Sequence, residues 1–373
     1  MNPSAPLARR KTLSASLGLG EKLFASSKER RFANALETGL DAVEVGLLRE
    51  MSFTDNLADV TSRYLLEAGG KRVRPVLTLL AAQLGTGNND NVITAAEVVE
   101  ITHLASLYHD DVMDDSQMRR GVPSAQFVWG NSVAILTGDL LFARASRLVA
   151  SLGTRAIELQ AETFERLCLG QLHETIGPGP DDDAIEHYLQ VLADKTGSLI
   201  ALAAQMGVIF SKAPEEFEVP VVEFGEKIGV AFQLIDDVID LSARGADTGK
   251  VPGTDLRAGV STLPLLYLRR RALTDPAAAE LLERLESGVR TALAAEDAAS
   301  IAEPSDVAID GTADDAALTI AIAELRDHDV TAETLAEAHR WAADAVAALA
   351  PLPDGPVKKA LTRFADSIVE RSN

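Results

Sequence analysis

Residues 103–115 read H-L-A-S-L-Y-H-D-D-V-M-D-D, an apolar, helix-forming run that ends in two pairs of aspartates. Residues 236–240 repeat the pattern as D-D-V-I-D after a second apolar run. In an α-helix, residues four apart lie on one face, so the outer aspartates of each D-D-x-x-D cluster project side by side. Like charges this close repel, and carboxylates late in a helix also oppose its dipole. We therefore expect a cation at each cluster.

Magnesium is the cation that these clusters favour. Mg²⁺ prefers hard oxygen ligands, and it typically takes one or two carboxylates and completes its octahedron with water and substrate phosphate oxygens. Two facing clusters would clamp a diphosphate through several magnesium ions. Two other acidic runs, Asp181–Asp183 and Asp314–Asp315, are expected only to favour helix N-termini. The candidate metal ligands are Asp110, Asp111, Asp114, Asp236, Asp237 and Asp240.

The composition favours packed helices and argues against several classes of partner. Apolar residues make up 47% of the 373 positions and aromatic residues only 5%, which favours helix over sheet. The net charge of −21 argues against nucleic acid or an anionic membrane as the main partner. Cys168 is the single cysteine, so a reducing compartment fits. No apolar run reaches the roughly 18 residues that span a bilayer, and we expect a cytoplasmic protein without a transmembrane segment.

Helical periodicity dominates the chain, and Gly- and Pro-rich stretches separate segments of helix length. No alternating strand pattern stands out, so we expect an all-α, single-domain bundle of about ten or more helices. Residues 1–35 are expected to form a flexible tail, and residues 36–373 the domain. Residues 288–315 are rich in Ala, Asp and Glu and poor in large apolar side chains. We expect them to form a mobile acidic insertion between two helices.

A diphosphate site also needs direct positive charge, and four short basic motifs offer it. Residues 69–75 read G-G-K-R-V-R-P, in which two glycines let the backbone approach a ligand and arginine can hold phosphate bidentately. R-R-G at 119–121 follows the first cluster, where balancing the aspartate charge is an equally good explanation. Lys195 lies in an apolar helix, where an unpaired lysine is costly, and Lys250 follows the second cluster in a glycine-rich loop. Together with the acidic clusters, these motifs indicate a site for phosphorylated substrates.

Taken in order, the chain resembles the trans-prenyltransferases, the head-to-tail isoprenyl diphosphate synthases, from about residue 36 to the C-terminus. The motifs that carry the resemblance are G-G-K-R-V-R-P at 69–75, H-L-A-S-L-Y-H-D-D-V-M-D-D at 103–115, R-R-G at 119–121, K-T-G-S-L at 195–199, F-Q-L-I-D-D-V-I-D at 232–240 and G-K-V-P-G-T-D-L at 249–256. The resemblance implies a deep central cavity in the bundle and a homodimer. It also implies condensation of isopentenyl diphosphate with an allylic diphosphate, with about three Mg²⁺ ions per active site.

The resemblance also assigns roles to individual side chains. In the family, both aspartate clusters bind the magnesium that grips the allylic diphosphate. The residues that match direct contacts to that diphosphate are Arg119, Lys195 and Lys250. The residues that match neighbours of the allylic C–O bond are Gln233 and Thr196. The residues that match the isopentenyl diphosphate pocket are Lys71, Arg74, His103 and Arg120, and Phe232 completes the substrate-binding set; His103 by itself would be read as an ordinary core histidine.

Product length is inferred from the helix beneath the first cluster. In the family, residues four and five positions before the first aspartate open or close the elongation tunnel. Here those residues are Ser106 and Ala105, with Thr102 one turn further back, and none is aromatic. We therefore expect a product longer than farnesyl, a polyprenyl diphosphate for quinone tails. A bulky residue on another helix would still floor the tunnel.

Three other functions stay open at this point. A farnesyl- or geranylgeranyl-length synthase would carry the same motifs. A class I terpene cyclase would normally show one D-D-x-x-D cluster and would not need residues 69–75. A non-catalytic subunit of a heteromeric synthase tends to lose aspartates or phosphate-binding cations, whereas this chain keeps both. Two departures from the common pattern are Tyr108, where an aliphatic residue is usual, and Val260, where many relatives have lysine.

Overall fold

The computed structural model describes residues 27–242, 251–301 and 312–372. Helix dominates these ranges, and the prediction of an all-α fold is confirmed. In chain order the helices are α1 Ser27–Glu50, α2 Asn56–Glu67, α3 Val73–Ala82, α4 Asp90–Met113, α5 Ala125–Trp129, α6 Asn131–Leu152, α7 Thr154–Ile176, α8 Ala184–Leu192, α9 Ser198–Phe210, α10 Glu218–Asp240, α11 Thr254–Arg257, α12 Leu263–Ala272, α13 Pro276–Ile301, α14 Thr312–Asp327, α15 Asp329–Ala348 and α16 Pro356–Val369. In the same ranges, strand is confined to an antiparallel hairpin of β1 Met118–Arg119 and β2 Val122–Pro123.

Helix extends into both segments that were predicted to be mobile, the tail at 1–35 and the insertion at 288–315, and their mobility stays a prediction. Residues 27–35, the end of the expected tail, belong to α1. Residues 288–301 continue α13, and residues 312–315 begin α14. Alanine, leucine and glutamate have high helix propensity, so a shortage of large apolar side chains does not prevent helix formation. The remainder of both segments, 1–26 and 302–311, lies outside the described residues.

The chain divides into two compact units, each discontinuous in sequence. The first unit contains the residues up to Cys168, Lys195–Glu226 and Ala345–Ser367. The second unit contains Leu169–Asp194, Lys227–Asp344 and the residues from Ile368 onward. The expectation of one bundle around one deep cavity stays a prediction.

Helix α4 forms the centre of the first unit. It packs against α1, α3, α6 and α9, and its side chains are buried on nearly every face. A helix that is buried on nearly every face belongs in a core, and Ile101, Leu104 and Tyr108 are among its fully buried side chains. Asn89 caps its N-terminus by accepting hydrogen bonds from the backbone N–H groups of Asn91 and Val92. The first aspartate cluster is therefore carried on a rigid support.

In the second unit, α12 packs against α8 and α13, and α13 packs against α14. Leu268, Leu285 and Leu325 are buried in this core. The C-terminal part of α10, which carries the second aspartate cluster, belongs to the same unit. None of the described helices combines the length and apolarity that crossing a bilayer requires.

Candidate active site

The first aspartate cluster lies where α4 ends. Asp110 and Asp111 are in its last turn, and Asp114 follows Met113 as the C-cap residue. The backbone N–H of Asp114 still donates to the carbonyl of Asp110, over 2.8 Å, so the helical spacing predicted for this pair is kept. Asp111 is fully buried and Asp114 is exposed.

Asp111 combines a strong partner with an unsatisfied oxygen. Its Oδ1 accepts a hydrogen bond of 2.6 Å from Arg119 Nε, whereas its Oδ2 is buried with no hydrogen-bond partner in the described chain. Burial raises the pKa of Asp111, and the Arg119 guanidinium opposes that rise. A buried carboxylate oxygen without a donor is costly, and a cation is the natural way to satisfy it. The cluster therefore fits a divalent ion.

Among the described residues, no three His, Cys, Asp or Glu side chains already stand together as a metal cage. Mg²⁺ keeps several waters and needs only one or two protein carboxylates beside substrate oxygens, so the carboxylates of a single predicted cluster are enough ligands for it. The residues that would hold it here are the carboxylates of the two predicted clusters. The metal itself stays a prediction.

Arg119 and Arg120 lie on the hairpin that follows the first cluster. Arg120 and Gly121 form its two-residue turn, and both have positive φ, 54° and 80°. This is the turn geometry whose twist matches two antiparallel strands. Arg119 and Arg120 have different partners: Arg119 donates to Asp111, whereas Arg120 Nη1 donates to the carbonyl oxygens of Leu65, over 2.9 Å, and of Gly69.

The basic loop between α2 and α3 is built on unusual backbone angles. Gly69 and Gly70 have φ of 109° and 143°, which glycine adopts readily and other residues rarely do. Lys71 is exposed, and Arg74 lies half-buried in the first turn of α3. The Nε of Arg74 is buried with no hydrogen-bond partner in the described chain, and burial lowers the pKa of its guanidinium to about 10. An anion would satisfy this donor.

Four arginines lie close enough to His103 to act on its ring electrostatically. Burial and the nearby arginines, Arg74 first among them, lower the pKa of His103 well below its usual value, so its ring is neutral at pH 7. The buried Glu100 is the nearby counter-charge, and burial raises the pKa of its carboxyl against the influence of Arg72 and Arg74. This part of the first unit can attract an anion although the whole chain carries −21.

Asp237 of the second cluster is buried and doubly hydrogen-bonded. Its Oδ2 accepts from the Tyr188 hydroxyl over 2.8 Å and from the backbone N–H of Leu263 over 3.4 Å. Burial raises the pKa of Asp237 to about 8, with the Tyr188 hydrogen bond opposing the rise. Tyr188 was not predicted as part of the site, because nothing in its local sequence links it to a position 49 residues away.

The other two aspartates of this cluster contact the chain around them. Asp240 Oδ2 accepts a hydrogen bond of 3.1 Å from the backbone N–H of Asp255. Asp236 Oδ1 lies 3.0 Å from Nη2 of Arg371, whose guanidinium also stacks 4.8 Å from the centre of the Phe232 ring. Phe232 was predicted to bind substrate, and here it also supports this C-terminal arginine.

Lys195 and Thr196 lie in a π-helical turn, Ala193–Gly197, between α8 and α9. Such turns add one residue to a helix and re-aim the side chains around it, and they are frequent at functional sites. Gly197 permits a close approach, since a Cβ at this position would lie 2.9 Å from the carbonyl oxygen of Glu226. Both predicted residues are half-buried. Sequence periodicity did not reveal this turn, because one extra residue barely disturbs an apolar pattern.

Thr102, Ala105 and Ser106 are all buried on α4, and their role as a tunnel wall stays a prediction. The hydroxyl of Thr102 also meets Gln160 on α7, whose Nε2 lies 3.5 Å from it. The sequence alone did not determine whether a bulky residue on another helix closes the tunnel, and two such residues lie on neighbouring helices. Phe142 on α6 and Phe164 on α7 pack with ring centres 4.4 Å apart.

The predicted residues are shared between the two units. The first cluster, the basic loop, the hairpin, Lys195 and Thr196 belong to the first unit. The second cluster, Phe232 and Gln233 belong to the second, and Gln233 is half-buried on α10. Lys250 lies outside the described residues. The substrate roles given to all these side chains stay predictions.

Comparison with known proteins identifies the family. The model of the polyprenyl synthetase family matches residues 55–299. Over 361 residues the chain is 40% identical to the nonaprenyl diphosphate synthase of Mycobacterium tuberculosis, covering 96% of this chain and 98% of that protein. A decaprenyl diphosphate synthase from Rhodobacter capsulatus has a similar structure, with a TM-score of 0.75 and 32% identity, covering 92% of this chain and 99% of the other.

A second similar structure is a geranylgeranyl pyrophosphate synthase from Corynebacterium glutamicum in complex with calcium and isoprenyl diphosphate. Its TM-score is 0.75 and its identity 38%, covering 94% of this chain and 99% of that one. The predicted resemblance is confirmed. The chain belongs to the polyprenyl synthetase family of trans-isoprenyl diphosphate synthases.

Proposed function

We propose that this protein is a magnesium-dependent trans-prenyltransferase that condenses isopentenyl diphosphate with an allylic diphosphate. Its product is an all-trans prenyl diphosphate longer than farnesyl, for use in quinone side chains. The observation that carries the proposal is the buried, unsatisfied Oδ2 of Asp111, which lies in the same compact unit as the buried Arg72 and the half-buried Arg74 and Arg120. The 40% identity to a nonaprenyl diphosphate synthase over nearly the whole chain supports it.

The residues of the first unit divide between two substrates in this proposal. The carboxylates of Asp110, Asp111 and Asp114 hold magnesium, which when bound supplies positive charge to the diphosphate leaving group. Arg119 holds Asp111 in place and contacts the allylic diphosphate. Arg74, with its buried and unpaired Nε, binds isopentenyl diphosphate. Positioned cations lower the barrier because they stabilise charge that develops as the allylic C–O bond breaks.

The second unit carries the second aspartate cluster, for which we propose the same chemical role. Asp236, Asp237 and Asp240 are the proposed ligands for further magnesium. The hydroxyl of Tyr188 and the backbone N–H of Leu263 orient Asp237 for that role. Residues that orient a metal ligand commonly tune its affinity.

The carbocation that forms must be shielded from water, or water will quench it. The buried wall of Thr102, Ala105 and Ser106 supports a dry tunnel along α4. Small side chains there favour a long product. Phe142 and Phe164 on the neighbouring helices favour a shorter one, so geranylgeranyl diphosphate is the second candidate product.

We place the protein in the cytoplasm as a homodimer. Several large apolar side chains on α5 and α6 face solvent, including Phe127 at 68% exposure and Leu136 at 61%. Contiguous exposed apolar surface marks protein interfaces. Leu140 lies one helical turn from Leu136, so the two widen the same face. The proposed dimer contact covers this face.

The experiment is incubation of the purified chain alone with magnesium, farnesyl diphosphate and labelled isopentenyl diphosphate, followed by product chromatography. Consumption of isopentenyl diphosphate with a lengthened prenyl diphosphate supports the proposal. A cyclised hydrocarbon indicates a terpene cyclase instead. Turnover that begins only after a second protein is added indicates a subunit of a heteromeric synthase.

A further inference from the structure

Arg72 occupies an unfavourable position within the basic loop. It has φ of 51°, in the left-handed region that non-glycine residues rarely adopt, and only 3% of its surface is exposed. A buried guanidinium is destabilising unless it is paired and hydrogen-bonded. The left-handed backbone and the buried guanidinium are both unfavourable, so the partners of Arg72 must offset both costs.

The guanidinium of Arg72 is bound by the protein on all three nitrogens. Nε donates to Glu44 Oε1 over 2.7 Å, and Nη1 lies 3.3 Å from Glu100 Oε1. Nη1 also donates to the carbonyl of Gly69 and Nη2 to that of Leu66, both over 3.1 Å. Arg72 thereby joins carboxylates on α1 and α4 to the backbone that leaves α2. Only a planar fork with several N–H groups can make this set of contacts.

The neighbouring cation behaves differently. Arg74, two positions along the chain, keeps a buried Nε without a partner. Arg120 shares the Gly69 carbonyl with Arg72, so both side chains fix the same peptide of the glycine pair. The loop thus contains Arg72, whose guanidinium is bound by protein groups, and Arg74, whose Nε can donate to a ligand.

We propose that Arg72 is a positioning residue that holds the Gly69–Gly70 backbone so that Lys71 and Arg74 are placed to bind isopentenyl diphosphate. It makes no contact with the substrate itself. This inference rests on the proposed function and deepens it, since it names a specificity-determining residue outside the predicted set.

The test compares Arg72→Lys with the wild-type chain and with Arg63→Lys. Arg63 is a matched control, because it is an arginine on the preceding helix α2 that forms ion pairs with Asp59 and Glu67 of the same helix. Loss of hydrogen bonds to charged groups predicts a rise of roughly tenfold to hundredfold in KM for isopentenyl diphosphate in Arg72→Lys. KM for the allylic diphosphate is expected to change by less than about twofold, as are both KM values of Arg63→Lys.

A merely structural role would lower stability and affect both substrates together, so equal changes in the two KM values overturn the proposal. Unchanged KM values in a folded Arg72→Lys overturn it as well. Circular dichroism establishes folding. If Arg72→Lys does not fold, Glu44→Gln removes one partner and keeps the fork, and a smaller rise in the same KM is then expected; no rise contradicts the proposal.

Binding of inorganic pyrophosphate by calorimetry separates this inference from the proposed function. A chain that binds pyrophosphate without any synthase turnover refutes the function, while weaker pyrophosphate binding by Arg72→Lys than by Arg63→Lys still supports positioning by Arg72. Equal binding by the two variants, or no binding by the wild-type chain, refutes the positioning role.

Discussion

The guanidinium of Arg371 lies 3.0 Å from the carboxylate of Asp236, so a residue in the last turn of the chain neutralises the first aspartate of the second cluster. The same guanidinium stacks on Phe232, one turn earlier on α10. A cation from the C-terminus therefore fastens the chain end to the helix that carries the predicted metal ligands.

Replacing Arg371 with alanine removes both contacts. The ion pair is partly exposed and contributes little, and the cation–π contact adds about 0.5–1 kcal/mol. We expect the free energy of unfolding to fall by about 1 kcal/mol in urea denaturation. Arg363→Ala, at an exposed position on α16, is the matched control and is expected to change little. Equal stability of the two variants would contradict the role of these contacts.

Asp111→Asn keeps the size of the side chain and removes its charge. If Asp111 holds magnesium, we expect kcat to fall by about 10²-fold or more, as for the loss of other groups that stabilise a charged transition state. Binding of Mn²⁺ in place of Mg²⁺, followed by electron paramagnetic resonance, is expected to weaken as well. Asp181→Asn, in an exposed run, serves as the control. Full activity of a folded Asp111→Asn would refute the metal assignment.

Glu97 is 2% exposed, and its Oε2 is buried without a hydrogen-bond partner in the described chain. Burial raises the pKa of Glu97 to about 7, above the value of 4.5 for an exposed glutamate. The folded protein thus holds this proton more tightly than the unfolded chain. The stabilisation is fully present below pH 4.5 and is lost as pH rises towards 7.

In Glu97→Gln we expect this pH dependence of the free energy of unfolding to disappear between those values. The variant should be more stable than the wild-type chain at pH 8. Denaturation at a series of pH values measures the difference, with Glu162→Gln on the exposed face of α7 as control. Parallel pH curves for the wild-type chain and Glu97→Gln would show that Glu97 does not titrate in this range.

Ala105→Phe tests the tunnel along α4. Ala105 is fully buried, so a phenyl ring there fills space that the growing chain would use. We expect shorter products with labelled isopentenyl diphosphate than the wild-type chain gives. Ala150→Phe, at an exposed position on α6, should leave product length unchanged. An unchanged length in an active Ala105→Phe would reject the tunnel assignment.

Leu136→Glu tests the proposed dimer face. A charge within a buried apolar interface is strongly unfavourable, so we expect the variant to be a monomer. Size-exclusion chromatography with light scattering measures its mass. Leu273→Glu is the control, because Leu273 is 83% exposed but lies in the other compact unit. A dimer that persists in Leu136→Glu would place the contact elsewhere.

Local sequence patterns predicted much of this structure. Apolar runs with helical spacing located α4 and α10, and the aspartates kept the spacing that those runs implied. The hairpin at 118–123 and the extension of α13 through residues 288–301 were missed. Both the hairpin and the extension of α13 depend on the backbone preferences of individual residues. The prediction for these segments had been based on their overall composition instead.

The candidate site was predicted less completely than the fold. Tyr188, Arg371 and Arg72 acquire their roles from partners distant in sequence, and no motif spacing encodes such contacts. Arg72 lies inside the basic motif at 69–75, yet it is buried, whereas Lys71 is exposed and Arg74 is half-buried. The sequence motifs predicted which charged residues belong to the site. Only the folded structure shows which of these residues are bound to other parts of the protein and which have groups left for a ligand.

The turn at Arg120 and Gly121 has a consequence for how two substrates would be handled. Arg119, just before this turn, donates to Asp111 of the first aspartate cluster, and Arg120, the first residue of the turn, donates to the Gly69 carbonyl of the basic loop. We therefore expect that occupancy of one region affects the other through these two adjoining residues. Under the proposed function, one substrate should change the affinity for its co-substrate, and thermodynamic reciprocity requires the same factor in both directions.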